Sequence, residues 1–429
     1  MKAIQKLPLH AISMAFIIAL LPEGASASNV TALQADEFVN SIGLNVHLDS
    51  NNYTPWSTFK PLITGLGVRH IRQWYVLNNT NNCNGEVAEL YATNGIMVNL
   101  GFSTFSPTNS KLLDPSLINS QITQIPHLSY SGNYLYNAIE SLEGPNEYDN
   151  SYYGDPNWAA DLVTYQNDLY TSATGDNWSS WKVVVAPPLC WTTDFPQLIT
   201  ATGGAPMNGV EVGNAHCYNG ANPPQSCTSL QQFLEASGTL WPAKPLYETE
   251  NGYTTIHTGA GVSVDVQARW TPRMLLGNWA WWGISRTYIY ELIDEEADSG
   301  TSSASKHYGL LYNTLTKKPL YTELQNLITI LSDPGSSWTP GAINWAASGQ
   351  TSNLGVVTME KRSGYFFLVA WIASSSTPVS QNVVFTFPNG ISSAELFTPR
   401  SSSTGTTQTI SNNTVTLSVP DEPIILMVK

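Results

Sequence analysis

Eight short β-branched or apolar runs alternate with helix-patterned segments between about Gly43 and Leu331, and that alternation most constrains the fold. The strand runs are Gly43–Leu48, Val68–Gln73, Met97–Phe102, Ile139–Leu142, Trp181–Ala186, Gly209–His216, Lys244–Glu250 and Thr287–Leu292. Between them, apolar residues recur at helical spacing: Trp56, Phe59, Leu62, Ile63 and Leu66 form one stripe, and Trp158, Leu162, Tyr165 and Leu169 another. Leu320, Leu324, Leu327, Ile328 and Leu331 close the series. Eight strand–helix units over a span of this size predict an α/β chain folded as a (β/α)₈ TIM barrel. An open doubly wound sheet is the competitor, but no glycine-rich phosphate loop follows the first strand.

After Asp333-Pro334-Gly335 the helical period stops. Val356–Met359, Tyr365–Ala373, Val383–Phe387, Ala394–Thr398, Val415–Val419 and Ile424–Val428 read as strands separated by Ser, Thr, Asn, Gly and Pro turns. The expected organisation is therefore a signal peptide over 1–27, a catalytic barrel over 28–335 and a small β-sandwich domain over 336–429. Packing against the barrel is the plainer role for the sandwich; glycan binding is the other. At the N-terminus, Lys2 and Lys6 precede the apolar run Ala11–Leu21 and the small residues Ala25-Ser26-Ala27, the pattern of a secretory signal. A secreted or periplasmic protein with no membrane span after signal removal is expected. In an oxidising compartment the four cysteines favour disulfides, with Cys217 and Cys227 closing a local loop and Cys83 and Cys190 left as a second pair.

Charge narrows the partners. The chain has 18 Lys+Arg against 32 Asp+Glu, a net charge of −14, which repels nucleic acid and favours a neutral ligand. Its 14 Trp and 20 Tyr mark a globular chain and not a disordered one. No Gly-x-Ser-x-Gly elbow or His-Glu-x-x-His helix points to an esterase or metalloprotease. The residues suggest no cofactor and no metal, and a monomer is the simplest expectation.

In a TIM barrel the chemistry lies at the C-terminal ends of the strands. Strand four ends in Glu143-Gly144-Pro145-Asn146-Glu147, strand six in His216-Cys217-Tyr218, strand seven in Glu248-Thr249-Glu250-Asn251-Gly252-Tyr253, and strand eight runs through Tyr288-Ile289-Tyr290-Glu291. Two carboxyls facing each other across a barrel mouth are what glycosidic cleavage needs, one to protonate the leaving oxygen and one to attack. Strand alternation puts Glu248 and Glu250 on one face and does not choose between them. Glu143 is a further acid candidate, with a strand-end ion pair as its plainer role.

Asn146-Glu147 and Thr249-Glu250-x-Gly252-Tyr253 resemble the motifs of glycoside hydrolase clan A, the retaining (β/α)₈ superfamily, with a layout similar to families 39, 5 and 30. Arg72 on strand two, His216-x-Tyr218 on strand six and Lys318-Pro319-Leu320-Tyr321 agree with that resemblance. It implies Glu147 as acid/base and Glu250 as nucleophile acting on a poly- or oligosaccharide, and its Thr-Glu-x-Gly setting favours Glu250 over Glu248. It further implies that Asn146 binds the sugar 2-hydroxyl, Tyr218 holds Glu250, His216 lines the same face and Arg72 keeps the nucleophile ionised. Strand eight departs from members that place a Trp there, carrying Tyr288, Tyr290 and Glu291 instead. His47, Trp74, Trp191, Tyr290 and Glu291 complete the expected substrate-binding set, with Trp56 as a further stacking candidate. Trp279, Trp281 and Trp282 read as helix packing, and Asp294, Glu295, Glu296 and Asp298 as a solvated acidic loop. A non-catalytic glycan-binding protein on a degenerate barrel is the rival reading.

Overall fold

A computed structural model describes residues 27–76, 82–175, 182–259, 261–299, 303–374 and 377–429; the expected signal peptide, 1–27, lies outside the described residues except for its last residue. The eight expected strands form: β1 Ile42–Asn45, β2 His70–Trp74, β3 Met97–Gly101, β4 Ile139–Glu143, β5 Val183–Val185, β6 Gly213–His216, β7 Leu246–Asn251 and β8 Ile284–Ile289. They pair in parallel in the order β5-β4-β3-β2-β1-β8-β7-β6. A parallel bridge between Val185 and Val212, with Ala186 N donating to Val212 O at 2.8 Å, joins the two ends into a barrel.

The helical stripes bury as their spacing predicts. In α1 (Trp56–Leu66), Phe59, Ile63 and Leu66 face the strands. In α2 (Pro319–Leu331), Leu320, Leu324, Leu327, Ile328 and Leu331 are buried, and Pro319 fits the first turn because its missing N–H has no helical acceptor there. Among the described residues no helix is long and apolar enough to cross a membrane.

The C-terminal region is a two-sheet sandwich. One sheet runs Ala342–Gly349, Ser380–Thr386 and Thr414–Pro420; the other runs Leu354–Glu360, Phe366–Ile372, Ile424–Val428 and Ala394–Phe397. Trp345, Leu368, Phe385, Leu417 and Leu426 form its core. The sequence reading is corrected at one edge. Ser28–Thr31 pairs antiparallel with Ala342–Trp345 and Leu33–Gln34 pairs with Met359–Glu360, so residues 28–34 extend the sandwich and not the barrel. The chain enters through the sandwich, crosses the barrel and returns. Trp281 packs at a tilt against Trp371 with ring centroids 5.2 Å apart, and Trp279 packs on Phe38, so this cluster cements the helix Val264–Ala280 to its neighbours. Arg269 of that helix pairs with Asp421 of the sandwich.

The expected disulfides are absent: none of the four cysteines is in one. Cys227 instead precedes the helix Thr228–Leu240, accepting from Leu230 N at 3.4 Å and donating to Cys217 O at 3.4 Å. The Cys217 thiol is turned toward Glu248. Cys83 opens the helix Cys83–Asn94, while Cys190 sits in the loop after β5.

Candidate active site

A buried arginine organises the barrel mouth. Arg72, on β2, sends Nε and Nη2 to Glu143 at 3.1 and 2.7 Å, and Nη1 to Glu250 Oε1 at 2.5 Å and Asn45 Oδ1 at 3.0 Å. Its Nη2 also reaches Asn146 Oδ1 at 2.9 Å. A charge removed from water persists only when paired and hydrogen-bonded, and here every face of the guanidinium is occupied. Glu143 is fully buried, and it also accepts from Asn99 at 2.5 Å and Thr249 at 3.2 Å. It is a floor residue. Trp74 lies over the Arg72 guanidinium at 4.7 Å. This approach needs Gly101, because a Cβ there would meet the indole at 2.2 Å.

Glu250 receives Arg72 on one oxygen and the Tyr218 hydroxyl on the other, at 2.9 Å. Burial opposes its ionisation, but the His216 and Arg72 charges and these hydrogen bonds outweigh burial and hold its carboxyl below the ordinary glutamate range. Burial likewise works against charge on His216, yet the Glu250 and Glu147 carboxylates raise its imidazole above the usual value. His216 Nδ1 is 2.7 Å from Glu147 Oε1 and 3.6 Å from Glu250 Oε2, and Nε2 is 3.2 Å from Thr249 Oγ1. One polar atom each of Glu147, His216 and Glu250 lie within 4.8 Å of one another.

A bulge separates Glu248 from Glu250. Along β6 and β7, Ala215 pairs with Glu248 but His216 with Glu250, so Thr249 is the extra residue. Its hydroxyl turns inward to Glu143 and Asn214. Glu248 points the other way, accepting from Asn278 at 2.6 Å and Asn251 at 3.0 Å. Burial without a cation pushes its carboxyl up to about 7.

The opposite wall comes from β1 and β8. His47 is 3.5 Å from Glu291 Oε2, which also accepts from Tyr53 at 3.3 Å. Burial lowers the His47 pKa and raises that of Glu291 well above normal. Tyr290 stands edge-on to His47 and to Tyr218, with centroids at 5.6 and 6.3 Å. Tyr308 closes the cluster at 5.2 Å from Tyr218.

Thus Arg72, Asn146, Glu147, His216, Tyr218 and Glu250 meet in one connected network, and His47, Tyr290 and Glu291 line its flank. Trp191 is displaced to the rim, 61% exposed. Trp56 is not in the mouth: it begins α1 and its indole donates to Glu89 at 2.8 Å. The acidic run is not wholly solvated either, since Asp294 is buried against Lys318 Nζ at 2.7 Å. A separate cavity of about 440 Å³ lies beside that loop, lined by Thr255, His257, Asp294, His307 and Tyr312, and includes neither Glu147 nor Glu250. Sequence reasoning missed Asn45, Thr249 and Tyr308. A buried Asn ending an apolar strand was a signal for Asn45; Tyr308 lies in a loop without periodicity.

No family model matches the chain, and no curated protein matches it. Solved structures do. A family 39 glycoside hydrolase from Bacteroides cellulosilyticus superposes with a TM-score of 0.65 at 14% identity, over 92% of this chain and 82% of that one. A monomeric beta-xylosidase from Caulobacter crescentus gives 0.60 at 12% identity, over 94% and 97%. A GH39 enzyme from Xanthomonas axonopodis gives 0.59 at 12%, over 93% and 95%. At these identities the likeness establishes the shared barrel-and-sandwich fold.

Proposed function

We propose that this chain is a secreted, retaining glycoside hydrolase that cleaves β-linked glycans by double displacement. The observation that carries the reading is the meeting of Glu147 and Glu250, distant in sequence, with carboxyl oxygens within 4.8 Å at the C-terminal end of the barrel. Retaining enzymes hold their carboxyls about 5–5.5 Å apart, while inverting ones need room for a water between them. Glu250, kept ionised, attacks the anomeric carbon as Glu147 gives its proton to the departing oxygen. Water then adds to the same carbon, Glu147 takes its proton, and the Glu250–sugar bond breaks. Asn146 has its carbonyl oxygen committed to Arg72, which leaves its amide N–H groups for the sugar 2-hydroxyl.

The test is release of an aryl leaving group with the anomeric configuration followed by NMR; inversion would sink the reading. In Glu147→Ala, substrates with good leaving groups should still glycosylate the enzyme, and azide should restore turnover. Failure of azide to rescue would remove Glu147 from the acid/base role.

The spacing of Glu147, His216 and Glu250 also admits a divalent cation, which would make this a metal-dependent hydrolase. Arg72 argues against it: both Glu250 oxygens already accept hydrogen bonds, and the guanidinium repels a second positive charge. Chelator should leave the rate unchanged. A loss reversed by added zinc or manganese would favour the metal reading.

A further inference from the structure

The loop that carries Glu147 is zipped to the loop after β5. Glu147 has φ of 48°, the left-handed region that a side-chain-bearing residue rarely adopts. Its N–H donates to Pro188 O at 3.0 Å, and Asn150 N donates back to its carbonyl at 2.9 Å. Two residues on, the Asp149 carboxylate accepts Cys190 N at 2.7 Å on one oxygen and Trp191 N at 3.0 Å on the other. The Asn150 amide adds a contact to Cys190 Sγ at 3.4 Å. One carboxylate thus fixes both the acid-bearing turn and the backbone of Trp191.

Trp191 is the one exposed tryptophan among the described residues. An indole in water forgoes the burial free energy its counterparts gain, and an aromatic face is what the apolar C–H face of a pyranose stacks on. The acid protonates the leaving oxygen, so the side of its loop toward Asp149 and Trp191 borders the leaving group, while Asn146 on the other side faces the sugar being transferred.

We propose that Asp149 is a positioning residue that couples the Glu147 turn to an aglycone platform at Trp191, selecting substrates whose leaving group is itself a sugar. The inference rests on the hydrolytic reading above and names its substrate class: oligosaccharides in preference to glycosides with a small leaving group.

The experiment compares two substrates with one glycone, a disaccharide and the glycosyl fluoride, across the wild type, Trp191→Ala, Asp149→Ala and Asp149→Asn. Trp191→Ala should raise KM about tenfold for the disaccharide with kcat held, against a smaller rise for the glycosyl fluoride, which puts no ring on the indole. Asp149→Ala should lower kcat/KM for the disaccharide about a hundredfold, because a misplaced acid matters where the leaving group needs a proton. It should change kcat/KM for the glycosyl fluoride less than threefold, because fluoride departs with little help from the acid. Asp149→Asn keeps one backbone acceptor and should fall between, which tests the point even where the alanine variant folds poorly. Equal losses on both substrates in an active enzyme would overturn the coupling and leave the hydrolytic reading standing. A wild type inactive on every glycoside would overturn both.

Discussion

Each end of the barrel buries an arginine among carboxylates, but the two ends settle the charge differently. At the N-terminal end, Glu140 Oε1 accepts from Arg286 Nη1 at 2.7 Å and Tyr288 OH at 3.1 Å and contacts His70 Nδ1 at 2.9 Å, while His70 Nε2 meets Asn40 Oδ1 at 2.8 Å. One carboxylate faces one permanent cation. Burial opposes the Glu140 charge, yet His70 and Arg286 pull its pKa down to about 2. At the C-terminal end, three carboxylates, Glu143, Glu147 and Glu250, share Arg72 and His216. The one-to-one network is built to hold strands together; the other gathers three carboxylates around Arg72 and His216, which hold the Glu250 carboxyl below its ordinary range. On the proposed reading, stability and chemistry are thus allotted to opposite ends, the division that TIM barrels show.

The largest expected effect separates the two ends by activity. Glu250→Gln is isosteric and leaves Arg72 paired with Glu143, so the fold should survive. Turnover should fall by about 10⁴-fold or more, the scale seen when a nucleophile is removed. The checks are steady-state kinetics and a thermal melt. A variant with most of its rate intact, or one that unfolds, would show that the mouth is structural after all.

The next effect is one of stability. Glu140→Ala leaves Arg286 without its carboxylate and should cost about 3–5 kcal/mol in denaturant unfolding. Its kcat, measured where the variant is still folded, should stay within twofold of wild type. The same group gives a pH signature. Its folded pKa lies below the unfolded value, so it contributes stability above about pH 4.5 that drains away as pH falls toward about 2. The full contribution is on the order of 3 kcal/mol. Wild type should therefore lose stability over that window more steeply than Glu140→Ala; parallel pH curves would refute the assignment.

How far the sequence anticipated this follows the range of the interactions. Period and turn chemistry are local, so the eight strands, the helical stripes and the strand-end positions of Arg72, Glu147, His216 and Glu250 could all be read. Ser28–Thr31 could not be placed, because its partner Ala342–Trp345 lies far along the chain and strand pairing leaves no local mark. The cysteines misled for a related reason. Their spacing suggested a loop closure, but the deciding facts were the helix start that Cys227 caps and the Glu248 carboxyl that Cys217 faces. Asn45 ties β1 to β7 through Thr249 O at 2.9 Å, a contact visible only once the barrel closes.

Glu248 and Glu250 offer the finest test, because one strand carries both ends' logic two residues apart. Strict alternation would aim them the same way; the bulge at Thr249 aims one into the mouth and the other beneath the helix Val264–Ala280. Glu248 has amides, a hydroxyl and the Cys217 thiol for neighbours, no cation, and a pKa of about 7. Its folded pKa is raised above the unfolded value, so ionising it costs stability. That cost is absent below about pH 4.5, grows between pH 4.5 and 7, and is complete above. Glu248→Gln removes the ionisation and should stabilise the protein by up to about 3 kcal/mol at pH 8, less any penalty for reorienting the amide. Near pH 4 it should do almost nothing, and activity should persist at both. Equal melting shifts at pH 4 and pH 8 would mean that Glu248 has a charged partner and that the bulge does not divide the strand as described. Loss of turnover in this variant, with turnover kept in Glu250→Gln, would move the nucleophile two residues back.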